Sequence, residues 1–389
     1  MTAVKYFHSG MPGAPVLSGT AGAMIAVLDA CLVNGFGVKT LDSLVVSGNT
    51  ATATISTGHS AEVDAVVLIA GATPSSLNGQ WKVAAVTTNT VQWQTTGISN
   101  QTATGTINLR LAPAGWAKAF SGTNLAAYRS SDVTGTRRYL RVADTAAQVA
   151  RVNGYETMTA ISTGTNLFPS AVQRPGGSYW SKSDTASTAA RDWILIADSR
   201  FFYFARASQA AGGVAGYELT VFGDIVPTRS GDAYACVLSG MANDQSASYA
   251  YHPDNYYAGQ QGAGTELYAP RAYTAVGSSI QLGKSFDGIM QFINQSLSGQ
   301  VGGGLTFPNP EDGGMYVSPH YVFEPATASL RGYSPGFYCS PHNFTATVFA
   351  PRESVQGVTG VTGRTLKVIT IYAGFGSTPC FVDVTGPWR

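Results

Sequence analysis

The sequence has little charge and no long apolar run, and each shortage excludes a class of protein. Charged residues make up only 12% of the 389 positions, about half the usual share in soluble domains. The 23 Lys and Arg residues nearly balance the 22 Asp and Glu residues, which excludes a generally basic surface that holds nucleic acid through its phosphates. No apolar run reaches the ~18 residues of a spanning helix, so we expect no membrane span.

Cysteine is also scarce, and the four residues stand far apart at positions 31, 236, 339 and 380. The N-terminus has no basic region leading into an apolar stretch, so we expect no secretory signal. Sparse cysteines without such a signal are typical of a protein made in a reducing cytosol. The sequence therefore predicts four unpaired, buried thiols.

Glycine and aromatic residues are abundant, with 45 Gly, 19 Tyr and 17 Phe. Aromatic and β-branched residues favour strands, and glycines supply the positive-φ positions of tight turns. The long amphipathic helices of a typical metabolic enzyme are nearly missing. We therefore predict a mainly β protein, and the low charge indicates that other subunits cover much of its surface.

The first predicted element is a helix over Ala21–Val33, with Ser18 or Thr20 as its N-cap and Asn34-Gly35 as its stop. Short strands separated by turns follow, and Gly48-Asn49 predicts a two-residue hairpin. Their dense spacing predicts a small β-barrel or sandwich.

Two main parts are expected. Residues 1–115 form the helix and the small β domain, and residues 116–389 form a larger β-rich domain. Asp184 is predicted to cap a short helix in the second part, over Thr185–Arg191. Residues 241–318 are rich in Gly, Ser, Asn and Tyr and are predicted to be long loop insertions, which in compact folds usually serve a function or an interface.

Three motifs resemble chemical sites, and each lacks a required part. Gly332-Tyr-Ser-Pro-Gly336 matches the G-x-S-x-G pattern, but Pro335 has no N–H to give to an oxyanion hole. Gly283-Lys284-Ser285 resembles the end of a P-loop without the leading glycine in register. Cys339-Ser-Pro-His342, with His320 upstream, lacks the second ligand pair of a structural zinc site.

Four carboxylates are candidates for glycoside chemistry, which needs a pair flanking the scissile bond. They are Asp192, Asp198, Glu311 and Asp312. Asp198 and Asp312 stand in turn-like contexts where Asp is favoured structurally. We therefore predict no catalytic residue, no metal and no cofactor.

Aromatic residues in turn-rich stretches are the predicted interface residues, because Tyr and Trp supply large contact areas in interface hot spots. They are Tyr251, Tyr256, Tyr257, Tyr268 and Trp180. Two alternatives stay open for them: packing of the fold's own loops, and stacking on sugar rings.

The stretch Ala65-Val-Val-Leu-Ile-Ala-Gly-Ala-Thr-Pro-Ser-Ser-Leu-Asn-Gly-Gln-Trp-Lys-Val-Ala-Ala-Val86 resembles a small β domain that recurs in bacteriophage tail and baseplate proteins. Four further stretches are similar in style to phage structural proteins: Phe120–Leu125, Tyr179–Ser183, Asp192–Phe204 and Val384–Trp388. The specific motif covers about 50 residues, which is shorter than an average domain.

This resemblance implies a non-enzymatic structural subunit of a phage virion, in the tail, the baseplate or a capsid-associated layer. Its partners would be other virion proteins and further copies of itself, without nucleic acid or membrane. Its location would be the virion, assembled in the bacterial host cytoplasm. The alternative is a receptor- or glycan-binding virion protein that acts through the 241–318 loops, and the third reading is a polysaccharide depolymerase.

Overall fold

The computed structural model of the chain describes residues 3–207, 217–242, 266–285, 305–342, 348–372 and 377–389. The fold is mainly β, as predicted: strands make up 49% and helix 6%, with one α-helix. The strands form three large, curled sheets. Within the described ranges, no helix is long and apolar enough to cross a membrane.

The chain begins with strand β1, Lys5–His8, and continues into the helix α1, Ala23–Leu28, which is extended by a π-helical turn, Asp29–Asn34. The predicted helix and its stop at Asn34-Gly35 are confirmed, but the predicted N-cap, Ser18 or Thr20, is wrong. Gly22 occupies the N-cap with a φ of 84°, and it has no side chain to accept a hydrogen bond. The cap is supplied from a distant part of the chain, as described below.

A sheet of eight strands follows, built entirely from residues 36–111. Its strands are β2 Phe36–Thr40, β3 Ser43–Ser47, β4 Thr50–Thr54, β5 Val66–Ala70, β6 Gly79–Val86, β7 Thr90–Gln94, β8 Gln101–Thr102 and β9 Asn108–Leu111. They run in the order β2-β9-β5-β6-β7-β4-β3-β8.

Strand β6 is the corner of this sheet. Its first half pairs with β5 and its second half pairs with β7, with a register shift between Val83 and Ala85. The predicted hairpin between β3 and β4 is confirmed. Gly48 and Asn49 have φ values of 56° and 66°, and two positive φ values match the twist of the flanking strands.

A second, six-stranded sheet comes next along the chain. Its strands are β10 Trp116–Gly122, β11 Leu125–Ser130, β12 Tyr139–Ala143, β13 Val149–Ala160, β14 Thr163–Phe168 and β15 Ser178–Ser181. The first five form a meander, and β15 pairs with the start of β13.

The third sheet has 13 strands and includes β1. The others are β16 Trp193–Ala197, β17 Phe201–Arg206, β18 Glu218–Asp224, β19 Val226–Pro227, β20 Cys236–Gly240, β21 Glu266–Ala269, β22 Ile280–Ser285, β23 Ser318–Glu324, β24 Ser329–Cys339, β25 Ser354–Val355, β26 Leu366–Tyr372 and β27 Ser377–Asp383. Their order is β1-β16-β17-β18-β20-β21-β22-β23-β24-β27-β26-β25, with β19 beside β24.

Strands β16 and β17 lie at the centre of the core. Every residue of both strands is buried, which agrees with the lack of polar alternation in their sequences. One continuous apolar cluster links this region to the helix and to the other two sheets. A smaller cluster lies under the C-terminal strands, around Leu366 and Phe381.

Two expectations about organisation need correction. The stretch Thr185–Arg191 contains bends and no helix, because Asp184 accepts a hydrogen bond from the Arg191 guanidinium at 2.6 Å instead of capping backbone N–H groups. In addition, β1 pairs with β16. The N-terminal strand therefore belongs to the sheet of the second part, and the small β domain begins at Phe36.

The predicted loop insertion over 241–318 is described only in part. Its described portions contain β21, β22 and the first residue of β23. Residues 243–265 and 286–304 lie outside the described ranges.

Candidate functional site

One polar cluster lies where β1, the small β domain and the C-terminal segment meet, and we call it the His8 cluster. It comprises His8, Glu62, Asp192, Tyr217 and Arg352. His8 Nε2 is 2.8 Å from Glu62 Oε1, and His8 Nδ1 is 3.1 Å from the guanidinium of Arg352. Because Nδ1 faces this donor, the ring proton lies on Nε2, and His8 donates to the carboxylate.

Asp192 forms the other half of the His8 cluster. Its carboxylate accepts hydrogen bonds from the Ser9 hydroxyl and, at 2.5 Å, from the Tyr217 hydroxyl. Arg352 lies 3.9 Å from the same carboxylate. Burial, followed by the hydrogen bond to Asp192, raises the pKa of Tyr217, so this phenol stays protonated as a donor. The cluster therefore joins three parts of the chain through satisfied polar contacts.

The Glu62 carboxylate is held in its ionised form. Burial acts to raise its pKa, but the hydrogen bond from His8 and the positive charges of Lys367 and Arg352 outweigh this effect. The pKa of Glu62 therefore lies below its ordinary value. Both carboxylates of the cluster act as hydrogen-bond acceptors for neighbouring side chains, and neither is placed as a proton donor.

A second polar contact, between Lys182 and Asp144, is fully buried. Asp144 accepts hydrogen bonds from the N–H groups of Met24 and Ile25 at 2.8 and 3.2 Å, and so supplies the missing cap of α1. Lys182 also donates to the Thr20 carbonyl at 2.6 Å. Burial lowers the pKa of Lys182 and raises the pKa of Asp144, while each charge opposes the effect on the other.

The serine of the G-x-S-x-G motif does meet a histidine. Ser334 Oγ lies 2.6 Å from His320 Nδ1, across the paired strands β24 and β23. Ser334 stands within a strand instead of at a strand-to-helix turn, and both side chains are buried. Burial, followed by the charge of Lys284, places the pKa of His320 well below its usual value. This neutral pair has no solvent-exposed side for a substrate.

The histidines of the incomplete zinc motif, His320 and His342, make other contacts. His342 Nε2 accepts a hydrogen bond from the Tyr316 N–H at 2.8 Å, and His342 Nδ1 lies 2.8 Å from the Thr306 carbonyl. Both ring nitrogens are therefore occupied. Across the described part of the chain, no group of three or more His, Cys, Asp and Glu residues is placed to hold a metal.

The remaining candidate carboxylates support turns. Asp198 is buried and accepts the N–H groups two and three residues further along, each at 2.7 Å. Asp312 accepts the Tyr316 hydroxyl at 2.5 Å, and Glu311 is exposed beside it. These contacts agree with the prediction from the sequence that Asp198 and Asp312 are turn residues.

A cleft of about 230 Å³ opens between β19 and the start of β24. Its charged floor is the Arg331 guanidinium, which contacts Asp232 at 3.0 Å and Glu324 at 3.1 Å. With Arg229, the lining carries two positive and two negative side chains. The residues that line the cleft are Thr228, Arg229, Asp232, Tyr273, Glu324, Ser329, Leu330 and Arg331.

The structure describes two of the five predicted interface residues, and both are buried inside the chain. Tyr268 donates its hydroxyl to Glu266 at 2.7 Å, and Trp180 donates its ring N–H to the Ser239 carbonyl at 2.6 Å. These two side chains pack inside the chain and present no exposed surface to a neighbouring subunit. Tyr251, Tyr256 and Tyr257 lie outside the described ranges.

Sequence reasoning missed an exposed feature, the outer half of the β13–β14 hairpin, which we call the 157–167 hairpin. Thr163 and Thr165 are exposed, and Thr165 Oγ1 lies 2.6 Å from Thr157 Oγ1 on the facing strand. No charged residue occurs between Glu156 and Arg174. This uncharged run is the feature of the sequence that could have identified the hairpin.

Comparison with protein-family models and with curated proteins found no match to this chain.

Proposed function

We propose that the chain is a non-enzymatic structural subunit of a bacteriophage virion, in the tail, the baseplate or a capsid-associated layer. The resemblance of residues 65–86 suggests this class of protein. The distribution of charge supports it, because among the described residues about half of the chain's Lys and Arg side chains form ion pairs with Asp or Glu. Few charges are left to oppose contact with neighbouring subunits.

The observation that carries the proposal is the 157–167 hairpin. Strand β14 pairs with β13 on one side and has no strand partner on its other side within the described ranges. An open strand edge is a template for pairing with another chain, and monomeric proteins usually protect such an edge with charges or proline. This edge has neither over residues 157–167. It suits a protein in which a neighbouring subunit covers the edge.

Assembly would then be driven by burial of uncharged surface and by hydrogen bonds along the strand edge. Apolar burial contributes about 25 cal/mol per Å² before the entropy costs of association. Each weak contact is repeated around the particle, so the subunit does not need one large interface to be held.

A charge on the strand edge tests this proposal. Thr163→Lys places a cation on the exposed edge, and Thr88→Lys is the matched control in an exposed turn of the small β domain. Each variant replaces the chain in a phage whose own copy is inactivated, and quantitative mass spectrometry counts copies per purified particle. We expect a several-fold loss of incorporation for Thr163→Lys and none for Thr88→Lys, with unchanged circular dichroism for both.

The other outcomes identify the rival functions. Normal incorporation of both variants would refute the role of the hairpin. Normal incorporation with lost adsorption to cells would favour the receptor- or glycan-binding alternative, and lost hydrolysis of a host polysaccharide would favour the depolymerase.

A further inference from the structure

Two of the four cysteines face each other across neighbouring strands. Cys339 on β24 and Cys380 on β27 are directly opposed in the antiparallel register, and their sulfurs lie 3.1 Å apart. Both are free, buried thiols. Cys31 lies in the π-helical turn and Cys236 on β20, so neither is on an element that pairs with β24 or β27.

We propose that Cys339 and Cys380 are a modification site: they form a disulfide when the protein meets a low-molecular-weight disulfide. The backbone geometry permits this without movement of the strands. Directly opposed residues in an antiparallel pair have Cα atoms about 4.5–5.5 Å apart, and disulfides span Cα separations of about 4.4–6.8 Å. The two sulfurs already lie side by side.

The reaction is two successive thiol–disulfide exchanges. One cysteine thiolate attacks a sulfur of the small disulfide, forms a mixed disulfide and releases one small thiolate, which takes up a proton. The second cysteine thiolate then attacks the protein sulfur of the mixed disulfide and releases the second small thiolate. Two protein thiols are oxidised to one disulfide, and one small disulfide is reduced to two small thiols.

Burial controls the rate of this reaction. Burial, followed by the contact with Cys339, raises the pKa of Cys380, and exchange requires the thiolate. The folded protein should therefore react slowly, and opening of the β24–β27 pair should accelerate the reaction. The thiols would stay reduced in a reducing cytosol and become linked on prolonged exposure to an oxidising medium.

The disulfide would reinforce a short strand pairing within the large sheet. Among the described residues, strands β24 and β27 pair through three residue pairs, and Cys339–Cys380 is the last of them. Beyond β27 the sheet continues through β26 to its edge at β25. A disulfide at this position would hold these three C-terminal strands to the rest of the large sheet.

Thiol counting on the full-length protein tests the proposal. One sample is incubated folded with oxidised and reduced glutathione, and a second is refolded from denaturant in the same buffer. Both are then alkylated under denaturing conditions without reduction. We expect a change from four alkyl additions to two, a linked pair of peptides containing Cys339 and Cys380, and a melting temperature several degrees higher that returns to its starting value on reduction.

Variants distinguish the native pair from chance oxidation. Cys380→Ser should lose the linked species, whereas the matched variants Cys31→Ser and Cys236→Ser should keep it. Four additions in both wild-type samples would overturn the proposal. A link that involves Cys31 or Cys236, or glutathione adducts without the 339–380 link, would also overturn it.

Discussion

Single buried charges connect distant parts of this chain. Lys182 neutralises Asp144, and Asp144 in turn caps α1, so one ion pair joins the helix to the second sheet. Both side chains are fully buried. A buried pair adds little stability relative to an apolar pair of the same shape, but removal of one partner leaves an uncompensated charge.

We therefore expect Lys182→Met to lower the free energy of unfolding by about 3–5 kcal/mol, because the Asp144 carboxylate would lose its counter-charge in the core. Urea unfolding followed by tryptophan fluorescence measures this difference. The matched control is Lys118→Met, which breaks a partly exposed pair with Asp29 at 2.8 Å. Exposed pairs contribute about 0–1 kcal/mol, so an equal loss in the two variants would contradict the structural role of Lys182.

For single residues, the sequence predicts the role of a side chain better than it predicts the residue that the side chain contacts. Asp and Ser near a helix start are general signals for a cap, but the cap of α1 comes from Asp144, 120 residues away from Met24. The same limit applies to the cysteines: burial of the thiols follows from residue type, whereas the opposition of Cys339 and Cys380 follows from strand register. Long-range pairing of this kind leaves no local pattern.

Local patterns do determine the strands and turns. The Gly48-Asn49 hairpin and the buried strands β16 and β17 have short-range signals, and the structure contains them. The helix expected over Thr185–Arg191 does not form. Asp184 is a capping signal, but its carboxylate accepts a hydrogen bond from Arg191 instead of from backbone N–H groups. Of the His8 cluster, Asp192 was a candidate from the sequence, but Glu62 was not, because the cluster forms only where three separate segments meet.

The small β domain is predicted to fold alone. Its eight strands all come from residues 36–111 and pair only with one another. The fragment 36–112 should therefore give a β-type circular dichroism spectrum and dispersed amide resonances. The control is a fragment of residues 36–86, which lacks β7, so the second half of β6 has no partner and β4 keeps only β3. A disordered spectrum for 36–112 would show that the domain depends on residues 116–389 for its core.

In the whole molecule, the start and the end of the chain are both tied to the large sheet. β1 pairs with β16, and the C-terminal Trp388 ring packs 5.6 Å from the Tyr203 ring. The His8 cluster then joins the small β domain to this sheet through Glu62. Glu62 is a charged residue within these contacts, whereas the 157–167 hairpin carries no charged residue.

This distribution of charge makes a prediction for the assembled particle, if the chain is the virion subunit that we propose. Contacts between uncharged surfaces do not weaken when salt screens charges, and screening is nearly complete at about 1 M NaCl, where the Debye length is ~3 Å. The same contacts weaken in urea, which solvates apolar and peptide groups. We therefore expect purified particles to retain the subunit at high salt and to release it in urea at concentrations below those that unfold it. Sedimentation of the particles, followed by quantitative mass spectrometry of pellet and supernatant, measures the release. Loss of the subunit at high salt would mean that ion pairs between subunits hold it in place, and would contradict assembly through uncharged surfaces.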